Sequence, residues 1–146
     1  METIRWIKLD PRAKAPLYAS EQAAGADLFA LTGEPLRIPA GETAMVHTGV
    51  ALAIPAGYAG FVYARSGLAS KRGLAPANKV GVVDADYRGE IMVALHNHSG
   101  VEQAIENGER IAQLVIAPVA RVIFEEGETL DETGRGAGGF GSTGRA

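Results

Sequence analysis

Side chains that could do chemistry are crowded into residues 81–90, which read Gly-Val-Val-Asp-Ala-Asp-Tyr-Arg-Gly-Glu. Asp84 follows a short apolar run, and partial desolvation there would fit its carboxylate to act as a general base towards water. The aromatic ring of Tyr87 offers a flat surface against which a ring of a ligand could pack. A structural turn needs one Asx residue rather than two acids with a tyrosine and an arginine, although an ordinary solvated hairpin remains the alternative.

We predict that this stretch forms a β-hairpin. Residues 80–83 are apolar and predict a short buried strand, and the Asp-Ala-Asp sequence after them favours a turn. Residues 90–97 alternate in polarity, as a strand with one buried face does. The apolar face carries Ile91, Val93 and Leu95, and the opposite face carries Met92, Ala94 and His96.

A second candidate site is the sequence Arg65-Ser66-Gly67, which opens the one segment of the chain with helical character, residues 65–73. We predict that Ser66 caps this helix and that Gly73 ends it. Free N–H groups at a helix start, together with a hydroxyl and a guanidinium, would suit a phosphate. The alternative is a plain helix cap beside a surface arginine.

The glycine-rich end, residues 135–144, combines Arg135, Ser142 and Thr143 as possible phosphate donors with Phe140 as a stacking surface. Glycine allows close approach of the backbone to a polyphosphate. The segment is not a P-loop, because no Lys-Ser or Lys-Thr follows the glycines. A loose terminus is the alternative reading, but a linker has no use for a lone aromatic ring.

Three further polar positions leave alternatives open. Asp27 follows Gly25 at a strand edge, and Gln113 lies inside an apolar run, where it either bonds into the core or faces a ligand. His96 and His98 share one face of a strand and could hold a transition metal, as in a cupin-like protein, or could be ordinary histidines.

The elements that must position these residues are short strands. Strands are predicted at residues 3–9, 36–38, 42–46, 50–54, 58–64, 80–83, 90–97, 111–119 and 121–125. Turn residues recur about every eight to twelve positions, which is typical of an antiparallel β-sandwich or barrel. No helix of crossover length alternates with the strands, so a doubly wound α/β sheet is excluded.

Composition narrows the class of protein. A chain of 146 residues with 47% hydrophobic residues is expected to fold as one domain. It contains no cysteine, which suits a reducing cytoplasm, and its net charge of −3 offers no basic surface for DNA or RNA. Neither a signal peptide nor a membrane-spanning run is apparent, so we expect a soluble cytoplasmic protein.

Five segments, taken in order, resemble the five motifs of the trimeric dUTP diphosphatases. They are residues 24–30, 65–69, 81–90, 108–114 and 135–144, and they span nearly the whole chain. Ala64 stands where that family usually has Pro or Gly. The sequence Asn78-Lys79-Val80-Gly81 is similar to the bacterial branch of the family.

The resemblance implies a jelly-roll β fold in a homotrimer whose three active sites are shared between subunits. Residues 1–134 would form the β domain, and residues 135–146 a flexible arm that closes over the site. The implied reaction is hydrolysis of dUTP to dUMP and pyrophosphate, which keeps uracil out of DNA and supplies dUMP for thymidylate synthesis. A dCTP deaminase of the same fold and a non-catalytic nucleotide-binding trimer remain alternatives.

The resemblance also implies a role for each matching residue. Asp84 would activate the water that attacks the α-phosphorus, and Asp27 would act through water on Mg²⁺ held mainly by the triphosphate. Asn78 with the backbone of Val82, Val83 and Asp84 would read uracil, and Tyr87 and Met92 would line the sugar pocket. The phosphates would be held by Arg65, Ser66, Gly67, Gln113, Arg135, Ser142 and Thr143, while Phe140 would stack on uracil.

Overall fold

The computed structural model describes residues 3–140 of the chain. Within this range it contains twelve strands and one helix. They are β1 (Arg5–Lys8), β2 (Leu17–Tyr18), β3 (Ala26–Phe29), β4 (Leu36–Ile38), β5 (Thr43–Val46), β6 (Val50–Ala53), β7 (Tyr58–Tyr63), α1 (Ser66–Arg72), β8 (Leu74–Pro76), β9 (Gly81–Val83), β10 (Val93–Asn97), β11 (Gln103–Ile105) and β12 (Arg110–Pro118). The predicted all-β chain of short antiparallel strands with a short helix is confirmed.

The strands form four antiparallel sheets around one apolar core. The largest sheet has the order β2-β3-β12-β7-β9, and a second has the order β5-β10-β8. The pairs β1-β6 and β11-β4 complete the arrangement. Neighbouring strands come from distant parts of the sequence, since β12 lies between β3 and β7, so the sheet requires both halves of the chain. The core includes the fully buried Leu28, Ile38, Leu74, Leu95, Ile105 and Ile111.

The prediction that residues 80–97 form a β-hairpin is wrong. β9 pairs with β7, with Val83 opposite Gly60, whereas β10 pairs with β5 and β8. The segment between β9 and β10 therefore crosses from one sheet to another. The predicted faces of residues 90–97 are correct, because Ile91, Val93 and Leu95 are all at most 3% exposed.

The expected burial of β9 and Asp84 is also not found in the single chain. Val82 is 62% exposed, and the side chains from Asp84 onward lie largely at the surface. The carboxylate of Asp84 is therefore not desolvated by its own chain. Apolar composition alone predicted burial here, but β9 is the edge strand of its sheet and has a neighbour on one side only.

The helix α1 begins differently from the prediction. Arg65, not Ser66, occupies the cap position, with an extended backbone and no capping side-chain hydrogen bond. Ser66 is the first helical residue. Gly73 ends the helix as predicted: its φ of 67° is left-handed, and its N–H bonds to the carbonyl of Ala69 at 3.1 Å. No helix within residues 3–140 is long and apolar enough to cross a membrane.

The strand predicted at residues 121–125 is not formed. The chain leaves β12 at Pro118 and continues without regular structure, and Ile123 and Phe124 are each 95% exposed. An apolar run becomes a strand only when an edge and a buried face are available to it, and this segment finds neither in its own chain.

Candidate active site

A pocket of about 250 Å³ lies between β9 and β10. It gathers six of the residues predicted to bind or act on substrate, which are Asn78, Val82, Val83, Asp84, Tyr87 and Met92. The opposite walls come mainly from β5, β8 and the segment before β10. The crossing of the chain between the two sheets thus brings a carboxylate, an amide and an aromatic ring to one concave surface.

The loop after β9 is shaped by hydrogen bonds to its own backbone. The N–H of Tyr87 donates to the carbonyl of Asp84 at 3.1 Å, and Arg88 donates to two loop carbonyls at 2.7 and 2.9 Å. The Tyr87 hydroxyl donates to the carbonyl of Glu90 at 2.9 Å. Its ring lies so close to Gly89 that an added Cβ would be 2.6 Å from the ring carbon Cζ. A side chain at position 89 would therefore displace the Tyr87 ring.

Asn78 lies in the turn that joins β8 to β9. The N–H of Lys79 donates to the carbonyl of Pro76 at 3.0 Å, and Lys79 has a positive φ of 65°. The Asn78 side chain is exposed and lines the pocket, where its amide offers both a donor and an acceptor. An added Cβ at Gly81 would lie 3.4 Å from the Asn78 amide nitrogen, so this turn packs closely against the start of β9.

Glu90 is a pocket residue for which the sequence indicated no role. One carboxylate oxygen accepts the N–H groups of Thr48 and Gly49, at 3.1 and 2.7 Å, and the other bonds Nδ1 of His47 at 2.9 Å. Burial raises the pKa of Glu90, but the hydrogen bonds from His47, Gly49 and Thr48 outweigh burial, so its pKa lies below the usual value. The partners are more than forty positions away, and no local pattern could have revealed them.

A separate cluster of positive charge surrounds the start of α1. A second, more open pocket is lined by Arg65, Gly67, Leu68, Lys71, Arg72, Glu109 and Arg110. Apart from the chain neighbours of Gly67 and the backbone of its own helix, no atom of the described chain lies within 4 Å of the position that a Cβ at Gly67 would take, so the backbone is accessible there. Sequence reasoning singled out Arg65 and Gly67 but assigned no binding role to Lys71 or Arg110, which come from the end of α1 and the start of β12.

Asp27 lies beside this cluster and holds two of its guanidinium groups. Its side chain is 9% exposed; Arg65 Nε lies 2.7 Å from one oxygen and Arg110 lies 3.2 Å from the other. Both carboxylate oxygens therefore already have cationic partners. No group of three His, Asp or Glu side chains within residues 3–140 is arranged to hold a metal ion. This donor set fits an ion carried mainly by substrate phosphates, which is the usual mode for Mg²⁺.

Gln113 forms a hydrogen bond within its own chain, and its predicted role at the phosphates stays a prediction. Its Nε2 donates to the carbonyl of Ala64 at 2.8 Å, so the amide supports the turn just before Arg65. Gly25 makes room for it, because an added Cβ would lie 2.7 Å from Gln113 Oε1 and 3.1 Å from its Cβ. Gln113 is half-buried and adjoins Asp27 across the sheet.

Asp84 and Arg65 lie towards opposite ends of β7. Val83, just before Asp84, pairs with Gly60 near the start of β7, whereas Arg65 follows its end. At about 3.3 Å of rise per residue, Asp84 and Arg65 are roughly 20 Å apart along the strand. One chain therefore does not bring these two groups to the same phosphate.

The structure does not bring the glycine-rich end to the pocket either. Arg135 Nε donates to the carbonyl of Gly138 at 2.7 Å, and the Phe140 ring is fully exposed. Ser142 and Thr143 lie outside the described residues. The predicted roles of these four residues stay predictions.

His96 and His98 do lie together, with ring centroids 4.4 Å apart. Thr43 Oγ1 is 2.8 Å from Nδ1 of His96. Burial, the neighbouring imidazole and the Lys79 ammonium all lower the pKa of His98. The pair does not belong to a group of three or more His, Asp or Glu ligands in the described part of the chain, so the structure offers no support for the cupin-like alternative.

Comparison with known protein families shows to which family the chain belongs. The dUTPase family model matches residues 11–144. The chain belongs to the dUTPase family. As a member it is an enzyme of the dUTP diphosphatase class, and its fold is the β jelly roll of that family.

Individual relatives agree with this assignment. The chain is 50% identical to the deoxyuridine 5'-triphosphate nucleotidohydrolase of Rickettsia bellii (strain OSU 85-389) over 131 residues, which cover 90% of this chain and 87% of that protein. It is 51% identical to the same-named protein of Desulfitobacterium hafniense (strain DSM 10664 / DCB-2) over 142 residues, covering 97% of this chain and 94% of that one.

Solved structures show the same likeness. A mutant dUTPase of Staphylococcus bacteriophage 80alpha, in complex with dUpNHpp, superposes with a TM-score of 0.91 at 29% identity and covers 99% of this chain and 100% of that one. A mutant dUTPase of phage phi11 of S. aureus, described as coordinating a structural Mg(II) ion, superposes at 0.79 with 27% identity, covering 88% and 98%.

Proposed function

We propose that the chain hydrolyses dUTP to dUMP and pyrophosphate by attack of water on the α-phosphorus, with Asp84 as the general base. The observation that carries the proposal is the pocket between β9 and β10, where Asp84, Asn78 and Tyr87 line one concave surface. Its volume of about 250 Å³ is below the range of roughly 300–1,000 Å³ usual for whole drug-sized ligands, which suits a base and sugar with the phosphates outside.

In the proposed step, Asp84 accepts a proton as the water oxygen forms a bond to the α-phosphorus. The bond from that phosphorus to the oxygen bridging to the β-phosphorus breaks, and the bridging oxygen leaves with pyrophosphate. Asp84 is exposed in the single chain, so its activation depends on closure of the site over the substrate.

Selection of dUTP is assigned to two side chains. Asn78 and the backbone of β9 would pair with the edge of uracil, and cytosine would leave these donors and acceptors unpaired. Tyr87, with its hydroxyl tied to Glu90, would pack against the sugar where a ribose 2'-OH would otherwise lie. Met92 completes that wall.

The phosphates are assigned to the cationic cluster at α1 and to Mg²⁺. Arg65, Ser66 and Gly67 would contact phosphate oxygens, while Gln113 supports the turn before them. A triphosphate brings about four negative charges, and Mg²⁺ would neutralise part of them. Asp27 would act on the ion through water while its carboxylate keeps the guanidinium groups of Arg65 and Arg110 aligned.

Asp84 and Arg65 lie far apart within one chain. We therefore propose a homotrimer in which each site takes its pocket and its phosphate cluster from different subunits. A cyclic trimer permits this sharing. Large exposed apolar side chains also call for a covering partner. They include Trp6, Ile7, Leu17, Tyr18, Val122, Ile123 and Phe124.

Residues 135–146 are proposed to act as an arm that closes each site, with residues 1–134 as the folded domain. Phe140 is fully exposed and makes no core contact, which leaves its ring available to stack on uracil. Removing residues 135–146 should leave the fold and the assembly intact but abolish most turnover. Unfolding or aggregation of the truncated chain would show that the segment is structural.

The reaction is tested with a panel of nucleoside triphosphates in the presence and absence of Mg²⁺, with product identification. We expect dUMP and pyrophosphate from dUTP, and slow turnover of dTTP, dCTP and UTP. Release of inorganic phosphate would refute attack at the α-phosphorus, and ammonia from dCTP would indicate the deaminase. Binding of dUTP without turnover would indicate the non-catalytic trimer.

Sharing of the site is tested by refolding two inactive variants together. One carries Asp84→Asn with an intact arm, and the other lacks the arm but keeps Asp84. If the two groups of one site come from different chains, about a quarter of the sites in randomly mixed trimers should recover. Mixed trimers, verified by mass, that stay as inactive as either parent would rule out sharing. The expected cytoplasmic location and the absence of a nucleic-acid partner stay predictions.

A further inference from the structure

The carboxylate of Glu90 is the point at which the pocket loop is attached to the buried part of the fold. Its three hydrogen-bond partners belong to one turn, residues 47–49, between β5 and β6. Thr48 is 2% exposed, and the Gly49 backbone is closely surrounded, since a Cβ there would lie 2.7 Å from Leu31 and 2.8 Å from Ala13. The turn is therefore a fixed point, and Glu90 supplies the acceptor for two of its backbone N–H groups.

The backbone of the same residue holds the loop from the other side. The carbonyl of Glu90 accepts the hydroxyl of Tyr87 at 2.9 Å, and Glu90 forms a bridge with Ala51 of β6. The N–H of Ile91 then donates to the carbonyl of Val50 at 2.8 Å. Side chain and backbone of one residue thus connect an exposed loop to a buried turn.

Apart from Glu90, the loop is held only near its start, where Val83 pairs with Gly60 and the partly buried Ala85 packs against the core. Asp84, Asp86, Tyr87 and Arg88 are all exposed, and the other hydrogen bonds described above for the loop are internal to it. Internal bonds preserve the shape of a loop but not its position relative to the opposite wall. Tyr87 lies beyond Ala85 and its hydroxyl bonds the Glu90 carbonyl, so the position of its ring depends on where the loop rejoins the fold, which is at Glu90.

We propose that Glu90 is a positioning residue of the reaction: by capping the turn at residues 47–49 it fixes the loop that carries Asp84 and Tyr87, and so sets the discrimination between deoxyribose and ribose. This inference rests on the proposed function. Glu90 acts through Tyr87, whose hydroxyl it accepts and whose ring it holds against the pocket.

The test compares Glu90→Ala with Glu90→Gln, using kcat and KM for dUTP and for UTP. Alanine leaves the N–H groups of Thr48 and Gly49 without an acceptor, and we expect kcat/KM for dUTP to fall about tenfold or more, with a similar loss in the dUTP-to-UTP ratio. Glutamine keeps one oxygen for those N–H groups, and its values should stay within about threefold of the wild type. If Glu90→Ala does not fold, Glu90→Asp, whose carboxylate is one methylene short, replaces it.

Two further variants identify which contact of Glu90 controls the dUTP-to-UTP ratio. His47→Ala removes the exposed partner of Glu90 and leaves the backbone N–H bonds in place, so it should change the dUTP-to-UTP ratio little. Tyr87→Phe removes the hydroxyl that bonds the Glu90 carbonyl, and its effect on the ratio should not add to that of Glu90→Ala, because both act through the position of one ring. A fully additive pair, or a loss in His47→Ala equal to that in Glu90→Ala, would overturn the assignment.

Hydrogen exchange supplies a measurement that does not depend on activity. In Glu90→Ala the amides of residues 84–91 should exchange faster than in the wild type, while those of β12 should not change. A residue with a purely structural role would lower the melting temperature and leave the dUTP-to-UTP ratio intact, and that result would overturn the proposal. A wild-type protein that leaves dUTP intact would overturn the proposed function, whereas unchanged exchange at residues 84–91 would overturn the anchoring itself.

Discussion

Replacing Gly67 by alanine separates the stability of the fold from the proposed chemistry. Gly67 is the second residue of α1, and the added methyl group would meet no described atom within 4 Å outside its chain neighbours and the backbone of its own helix. Alanine is favoured over glycine inside helices by roughly 0.5–1 kcal/mol, and less in the first turn. We therefore expect the free energy of unfolding to rise by about 0.5 kcal/mol, which corresponds to about 1–2 °C in melting temperature.

The effect on the reaction should have the opposite sign. The methyl group would occupy the space through which a phosphate oxygen is proposed to approach the backbone of α1. Loss of one hydrogen bond to a charged group costs about 1.5–3 kcal/mol. At about 1.4 kcal/mol per factor of ten, kcat/KM for dUTP should fall about tenfold to a hundredfold.

The assay pairs thermal unfolding by circular dichroism with initial rates of pyrophosphate release. Gly33→Ala is the matched control, because Gly33 also has nothing within 4 Å of its added Cβ but lies in an exposed loop away from both pockets. It should change neither quantity by much. An unchanged kcat/KM in Gly67→Ala would refute the phosphate contact. A lower melting temperature would show that another chain packs into this space.

Three further predictions concern single positions. Asp84→Asn should lower kcat, measured by pyrophosphate release, by about two orders of magnitude or more, and should leave dUTP binding at equilibrium largely intact. A near-normal kcat would mean that another group activates the water. Gly25→Ala should displace the Gln113 side chain and break its hydrogen bond to the Ala64 carbonyl. We expect this to cost about 1–3 kcal/mol of stability, as measured by urea unfolding, and an unchanged midpoint would contradict the overlap. The pKa of Glu90 is lowered in the folded state, so its contribution to stability is present above the unfolded pKa and is lost as the pH falls through the folded pKa. The stability difference between the wild type and Glu90→Gln should therefore shrink below about pH 4.5, and a constant difference would indicate that Glu90 does not titrate as described.

Local pattern was sufficient for most of the strands and for the end of the helix. Alternation of polarity correctly predicted β10 and its buried face, because side chains of a strand point alternately to its two sides whatever strand lies beside it. Gly73 correctly marked the end of α1, since the left-handed conformation is a property of one residue. The five ordered motifs were sufficient to indicate the family, because they are local in sequence.

Pairing and burial were decided only by the tertiary structure. Residues 80–97 look like a hairpin, but β9 and β10 join different sheets, because strand partners are selected by the burial of distant faces and not by adjacency in sequence. The same limitation explains the missing strand at residues 121–125, whose apolar side chains find no face to cover in their own chain.

The candidate site divides in the same way. The types of its residues are a property of the sequence, and the pocket does collect Asn78, Asp84 and Tyr87. The separation of Asp84 from Arg65 along β7 and the attachment of Glu90 to Thr48 and Gly49 are properties of the folded chain alone. Both depend on contacts between residues many positions apart, and such contacts form because folding satisfies buried polar groups and apolar faces together.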